Sequence, residues 1–429
     1  MLRRTGAAAA FVVLVVLVGG TPARADEPAD LIDPAVAALM VERGLSTAEA
    51  SRRIGWQGRS ADLADAVEAT ISPDQYGGVW IGTDDDRVTV GVLTAAAPLD
   101  AFRSTVTGLA ANVGLESAGV NVVPVQHSLT KLVEASDWLA DRVTVANEGA
   151  TAYLTAGGYT TAGNVVRLGV PSAPAVLTPA QQAVVSEAQQ RLGGMLNVHA
   201  AAGDAQAQAC SAHYCDVPLR GGVRFDGTVG CTLGFIGRSR ANGRLYAITA
   251  GHCLRVPNGT QTTSRFASGP TNHIIGPARN SLLDRRGDAG IIEITNYTGW
   301  KPQARVYVTA SPAWAGVPGT VRNELYPIRG DSLSRVGLRV CKRGYTAGTS
   351  CGRVTELNAT VYYTNLRVTV GGLAVANYCA RPGDSGGPVF AGSTAFGIHS
   401  GGSNSNECLT YYQGIRGAEN LMNFNVSSV

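Results

Sequence analysis

The chain has 429 residues, 53 of them glycine and only 6% aromatic, with a formal net charge of +3. That is long enough for two or three domains, and the glycine content suits a turn-rich β protein better than a helical bundle. Only three of the 35 basic residues are lysine (Lys131, Lys301, Lys342), which reads as coding bias, so nucleic-acid binding has little support.

Residues 1–25 have the three parts of a secretion signal: Arg3 and Arg4, an apolar run from Ala7 to Gly20, and Ala23-Arg24-Ala25. The run is shorter than the roughly 18 residues a membrane span needs, and no later segment supplies one. A secreted, extracellular protein without stable membrane association is expected; an N-terminal anchor is the alternative. From Asp26 to Ala205 there are 21 acidic and 10 basic residues, net −11; from Gln206 to Val429 there are 11 and 22, net +11. Opposite charges on two halves would steer their docking, unless each surface is simply solvated.

Residues 30–55 carry apolar positions at helical spacing, with Ser46 as the cap of a second short helix. "GGVWIGTDDDRVTVGV" reads as two alternating strands around an Asp-rich turn, "LDAFRSTVTGLAAN" as a helix, and "DRVTVANEGATAYL" as a further strand pattern. A helix over "TPAQQAVVSEAQQRLGGML" precedes the small, polar, aperiodic "NVHAAAGDAQAQA", where the chain divides. The first half, 26–205, is thus a small α+β region with no cysteine and no catalytic cluster. From Cys215 onward, short Val/Ile/Leu-rich strands alternate with Gly, Asn and Pro turns, a barrel or sandwich signature. No repeat of 20 to 50 residues is visible.

All eight cysteines lie in the second half: Cys210, Cys215, Cys231, Cys253, Cys341, Cys351, Cys379 and Cys408. An even number behind a secretion signal implies disulfides, whose connectivity the spacing leaves open. There is no CxxC, no paired Cys/His spacing and no Asp/Asn-rich loop of calcium type, so neither metal nor cofactor is expected.

Three stretches converge on one chemistry. "AITAGHC" ends an apolar strand with His252, "GDAGIIEI" puts Asp288 at the head of another, and "CARPGDSGGPVF" sets Ser385 in a glycine-rich turn. A serine hydroxyl needs a base in hydrogen-bond reach, and that base needs a group that fixes its tautomer. His252 and Asp288 would fill these roles. The glycines let the N–H groups of Gly383 and Ser385 point at a developing oxyanion, each such donor typically worth about 2.7 to 4 kcal/mol.

Those motifs resemble the chymotrypsin-type serine proteases, and "VCKRGYTAGTSCGRV" with "LNATVYY" resembles their bacterial streptogrisin and α-lytic protease branch. The resemblance covers 216–429. It is weaker in the first half, where "GGVWI" and the α+β pattern resemble that branch's pro-region. It implies an all-β catalytic domain, 206–429, of two six-stranded antiparallel β-barrels, preceded by a small α+β pro-domain, 26–205, that assists folding and blocks the cleft; an independent domain retained in the mature protein is the alternative. The protein is then expected to be a monomeric endopeptidase made as a zymogen, with protein or peptide substrates and its own pro-region as partners. The resemblance also implies pairing of Cys231 with Cys253, Cys341 with Cys351 and Cys379 with Cys408, leaving Cys210 for Cys215. Buried Asp384 would take its counter-cation from Lys342 or Arg343.

The resemblance further implies that Ser400, Gly401 and Gly402 line the primary pocket and pair with the substrate backbone as an added strand. A histidine before that serine, here His399, is found in glutamate-specific relatives, and Arg381 adds positive potential. Gly402 offers only backbone, however, and no supporting chain of histidines is evident. Three readings of His399 therefore stand: acidic P1 preference, a broad or apolar preference with His399 secondary, or a purely structural histidine. A non-catalytic binding protein on a protease scaffold would lack a triad member, and all three are present; an esterase side activity uses the same chemistry.

Overall fold

The computed structural model describes residues 32–95, 97–171, 177–200, 205–207, 217–265, 271–308, 323–403 and 408–426. The secretion signal and the Cys210/Cys215 pair lie outside the described residues.

Asp33 starts the first helix, Pro34–Arg43, by accepting from the N–H groups of Ala35 at 2.6 Å and Val36 at 3.3 Å, and Gly44 at φ 64° ends it. Ser46 caps Thr47–Gly58 as expected, accepting from Glu49 N–H at 3.3 Å. A third helix, Ser60–Glu68, leads into the hairpin Tyr76–Ile81 and Val88–Val92. Helix Leu99–Asn112 then crosses over, and Val120–Pro124 pairs parallel with Val88–Val92. The same order recurs. Helix Leu129–Ala146 is followed by the hairpin Thr155–Thr160 and Val165–Val170, then by helix Pro179–Leu192 and by Leu196–Ala200, parallel to Val165–Val170. Thr178 and Gln181 close a capping box on the last helix.

One segment departs from the expected strand pattern. Within "DRVTVANEGATAYL", Asp141–Ala146 is the end of the 18-residue helix Leu129–Ala146. Leu132, Ala135, Leu139, Val143 and Ala146, three or four residues apart, bury one helical face against Ala156, Val166 and Leu168 of the sheet, so helical spacing rather than the Val-Thr-Val alternation sets what is buried.

The second half builds two large, mainly antiparallel sheets, as the barrel signature predicts, beside a small hairpin of Arg305–Val308 with Asn323–Pro327. The first curls through eight strands, the C-terminal Phe424–Val426 returning to pair with Phe235–Ser239. Its core gathers Phe225, Leu233, Ile236, Ile275, Ile292 and Trp300. The second runs through Arg339–Gly344, Pro388–Ala391, Thr394–Ser403, Thr410–Gly414, Val368–Ala376 and Gly348–Tyr363, and the last of these pairs with the first, closing a six-stranded barrel. Each fully buried Leu, Ile, Val or Phe in such cores contributes about 1.5 to 3 kcal/mol. Among the described residues no helix is long and apolar enough to cross a membrane.

The halves dock through strands and charges. Thr155–Thr160 pairs antiparallel with Gly348–Tyr363, so the second N-terminal sheet continues into the barrel. Buried Asp86 receives Arg353 at 2.6 Å, Glu42 bridges Arg339 and Arg353, Asp141 pairs with Arg285, and Gln57 accepts from Arg339 N–H at 3.0 Å. Arg167 with Glu356 is the one pair among these charges that runs the other way. The net charges of −11 and +11 are thus spent in part on each other.

Candidate functional site

Strand Leu245–Thr249 runs into the tight turn Gly251–Leu254, which carries His252. The Cys231–Cys253 disulfide braces that turn, and with both sulfurs joined neither is a thiolate ligand for a metal. Cys341–Cys351 and Cys379–Cys408 form as well. Asp288, completely buried, opens the apolar strand Gly287–Glu293 and faces the turn.

Asp288 is held by three donors. Its Oδ1 accepts from the His252 backbone N–H at 2.9 Å, and its Oδ2 from His252 Nδ1 at 2.7 Å and from Ser400 Oγ at 2.6 Å. Burial alone would raise the carboxyl's pKa, but His252 and these hydrogen bonds outweigh it and hold Asp288 below the usual carboxylate range. An ionised carboxylate only accepts, so Nδ1 carries the proton and Nε2 is left as the basic atom. That Nε2 is buried and has no hydrogen-bond partner among the described residues.

Ser385 sits in a turn made by glycines in the left-handed region, Gly383 at φ 100° and Gly386 at φ 83°; a Cβ on Gly386 would fall onto Thr249 Oγ1. Thr232 grips the turn from the first sheet: its Oγ1 donates to Gly383 C=O at 2.7 Å and its N–H to Ser385 C=O at 2.8 Å. The Cys253 sulfur lies 3.7 Å from that same carbonyl, so the histidine turn and the serine turn abut. Ser385 Oγ donates to Ser400 C=O at 3.3 Å. Ser400 therefore touches Ser385 with its carbonyl and Asp288 with its hydroxyl.

Of the two cations expected for Asp384, the structure selects Lys342. Both groups are fully buried, with Nζ 2.5 Å from Oδ2. Backbone N–H groups of Arg381 at 2.9 Å, Thr346 at 3.1 Å and Ala347 at 3.0 Å complete the carboxylate's shell. Against the upward push of burial, Lys342 and these donors keep the Asp384 pKa low. Arg343 points the other way and donates to Tyr307 C=O at 2.9 Å.

His399 is completely buried. Its backbone pairs with the serine turn, N–H to Gly387 C=O at 2.8 Å and C=O from Gly386 N–H at 2.7 Å. Its Nδ1 is 3.1 Å from Tyr378 Oη, and its Nε2 has no hydrogen-bond partner among the described residues. Burial, then Lys342, push its pKa down to about 3, so the ring is neutral. Gly401 and Gly402 continue the strand, and the chain's own Ala205–Ala207 lies antiparallel on them, Gly401 opposite Ala207 and Gly402 opposite Gln206. The Arg381 side chain is exposed; what ties this residue to the site is its backbone N–H. Sequence reasoning did not single out Tyr363, Tyr378, Thr232 or Gln413, whose Oε1 accepts from Asp288 N–H at 3.1 Å. Tyr363, Thr232 and Gln413 sit on strands that otherwise read as ordinary barrel strands, and Tyr378 lies just past the end of the strand Val368–Ala376.

Residues 223–420 match the family model described as Trypsin. Serine protease 2 of Streptomyces fradiae is 40% identical over 173 residues, spanning 40% of this chain and 87% of that protein. Streptogrisin-D of Streptomyces griseus is 28% identical over 369 residues, 84% of this chain and 82% of the relative, so the likeness extends into the N-terminal half. Glutamyl endopeptidase 2 of Streptomyces griseus is 31% identical over 185 residues, 43% of this chain and 85% of that protein. With its two curled, mainly antiparallel sheets and these relatives, the chain belongs to the trypsin family of chymotrypsin-like serine proteases.

Proposed function

We propose that the protein is a secreted, monomeric serine endopeptidase made as a zymogen, in which Ser385 attacks the scissile carbonyl. His252 Nε2 takes the serine proton and returns it to the leaving amine, Asp288 orients the imidazole and stabilises its cation, and the N–H groups of Gly383 and Ser385 receive the oxyanion. The observation that carries this reading is the 2.7 Å pairing of His252 Nδ1 with buried Asp288, joined to Ser385 through Ser400. Replacing Ser385 by Ala in the full chain should abolish casein hydrolysis and leave the N-terminal half uncleaved; a cleaving Ser385→Ala protein contradicts the reading.

Residues 26–205 act as the pro-region and 206–429 as the protease. The pairing of Ala205–Ala207 with Gly401–Ser403 supports this division, because it lays the chain itself along the strand a substrate would use. Lys342 already neutralises Asp384, so activation consists of removing the first half and needs no new N-terminal ion pair.

For the P1 residue we favour glutamate. His399 held neutral, with an unpaired buried Nε2, is suited to receive an acceptor oxygen that has left water. A relative named a glutamyl endopeptidase agrees with this. Profiling the mature enzyme on a peptide library should give cleavage mainly after Glu; cleavage mainly after Leu, Phe or Tyr overturns the assignment in favour of an apolar pocket.

A further inference from the structure

Ser400 has one hydroxyl proton, and ionised Asp288 at 2.6 Å accepts it. A lone pair of Ser400 Oγ then faces Tyr363 Oη, 2.7 Å away. Tyr363 is completely buried, and burial, reinforced by the charge of Asp288, keeps its phenol protonated by pushing its pKa well above the ordinary value. Each proton in the chain therefore has one place to go: Tyr363 O–H to Ser400, Ser400 O–H to Asp288, and His252 Nδ1–H to Asp288 from the other side.

We propose that Tyr363 is a positioning residue of the reaction, which locks the Ser400 hydroxyl onto Asp288 and, through the same residue's carbonyl, steadies the seat of Ser385. Without the phenol, the Ser400 hydroxyl is free to rotate and donates less strongly, so more charge stays on Asp288 and the imidazolium of His252 is stabilised. Tyr363 ends the strand Gly348–Tyr363, three residues past Thr360, where that strand pairs with Ala156 of the N-terminal half.

This inference rests on the proposed roles of Ser385, His252 and Asp288, and its test separates the two. Active sites of the mature enzyme are titrated with a fluorophosphonate, and kinetics are referred to titrated sites. Tyr363→Phe, which removes only the hydroxyl, should lower kcat by about three- to tenfold, the equivalent of roughly one hydrogen bond. KM should stay within about twofold, and the acidic limb of the pH–rate profile should move to higher pH. In a Ser400→Ala background the same substitution should have no further effect. Should Tyr363→Phe accumulate poorly, 3-fluorotyrosine introduced at position 363 alone supplies a stronger donor of nearly the same shape, and the limb should move to lower pH. An unchanged kcat per titrated site with an unmoved limb overturns the inference, as does an equal loss in the Ser400→Ala background. Failure of the reagent to label Ser385 overturns the proposed function instead.

Discussion

Replacing Lys342 by Met removes the cation from a pair in which both partners are fully buried, leaving the Asp384 carboxylate in the turn that carries Ser385. Breaking a buried pair from one side typically costs about 3 to 5 kcal/mol. Asp384 keeps its hydrogen bonds from Arg381, Thr346 and Ala347, so the loss should fall near the lower end, about 3 kcal/mol. The pH dependence should change sign. In the wild type the folded Asp384 pKa lies below its unfolded value, so its contribution is full above about pH 4 and fades as pH falls through the folded value. Without the cation, burial raises the folded pKa above the unfolded one; stability is then greatest in acid and is lost as pH rises. Denaturant unfolding of the full chain carrying Ser385→Ala, with and without Lys342→Met, at pH 3, 5 and 8 reads both effects as the difference between the two proteins. Arg343→Met, which touches Tyr307 rather than Asp384, should leave the sign unchanged. A Lys342→Met protein as stable at pH 8 as its parent, with no gain towards acid, refutes the argument.

Ser400→Ala removes a donor to a buried carboxylate and should lower kcat by about ten- to a hundredfold, measured per titrated active site, with the fold intact by circular dichroism. Glu356 meets Arg167 between the halves, yet burial outweighs that cation and raises its pKa to about 7. An acid with a raised folded pKa stabilises below its unfolded value, and that stability is lost as pH rises through about 7. The full-length Ser385→Ala chain should therefore melt lower at pH 8 than at pH 5.5 by an increment that Glu356→Gln removes. Arg353→Ala strips buried Asp86 of its 2.6 Å partner while Arg53 remains at 3.2 Å, and should loosen the docked N-terminal half by about 2 kcal/mol, seen as faster limited proteolysis.

The three residues proposed as a triad stood out in the sequence because that chemistry demands particular neighbours: a glycine-rich turn around Ser385, and His252 and Asp288 at the ends of apolar strands. The choice between Lys342 and Arg343 was not. Adjacent residues on a strand face opposite sides, and nothing local says which side holds the serine turn. Asp141–Ala146 misled for a related reason: the Val-Thr-Val alternation fits a strand, and only the helical spacing running from Leu132 outweighs it. The duplicated helix–hairpin–helix–strand order of the N-terminal half left no sequence period, because each sheet needs only apolar residues on one face, in no fixed identity. Tyr363 was hidden because its partner Ser400 lies 37 residues away on another strand.

Ser385 as the nucleophile is tested most directly by covalent labelling. Mature protein treated with a fluorophosphonate and digested should carry one adduct, on the peptide containing Ser385. Prior replacement of His252 by Ala should slow labelling by several orders of magnitude. An adduct on another serine, or labelling that is indifferent to His252, would contradict it.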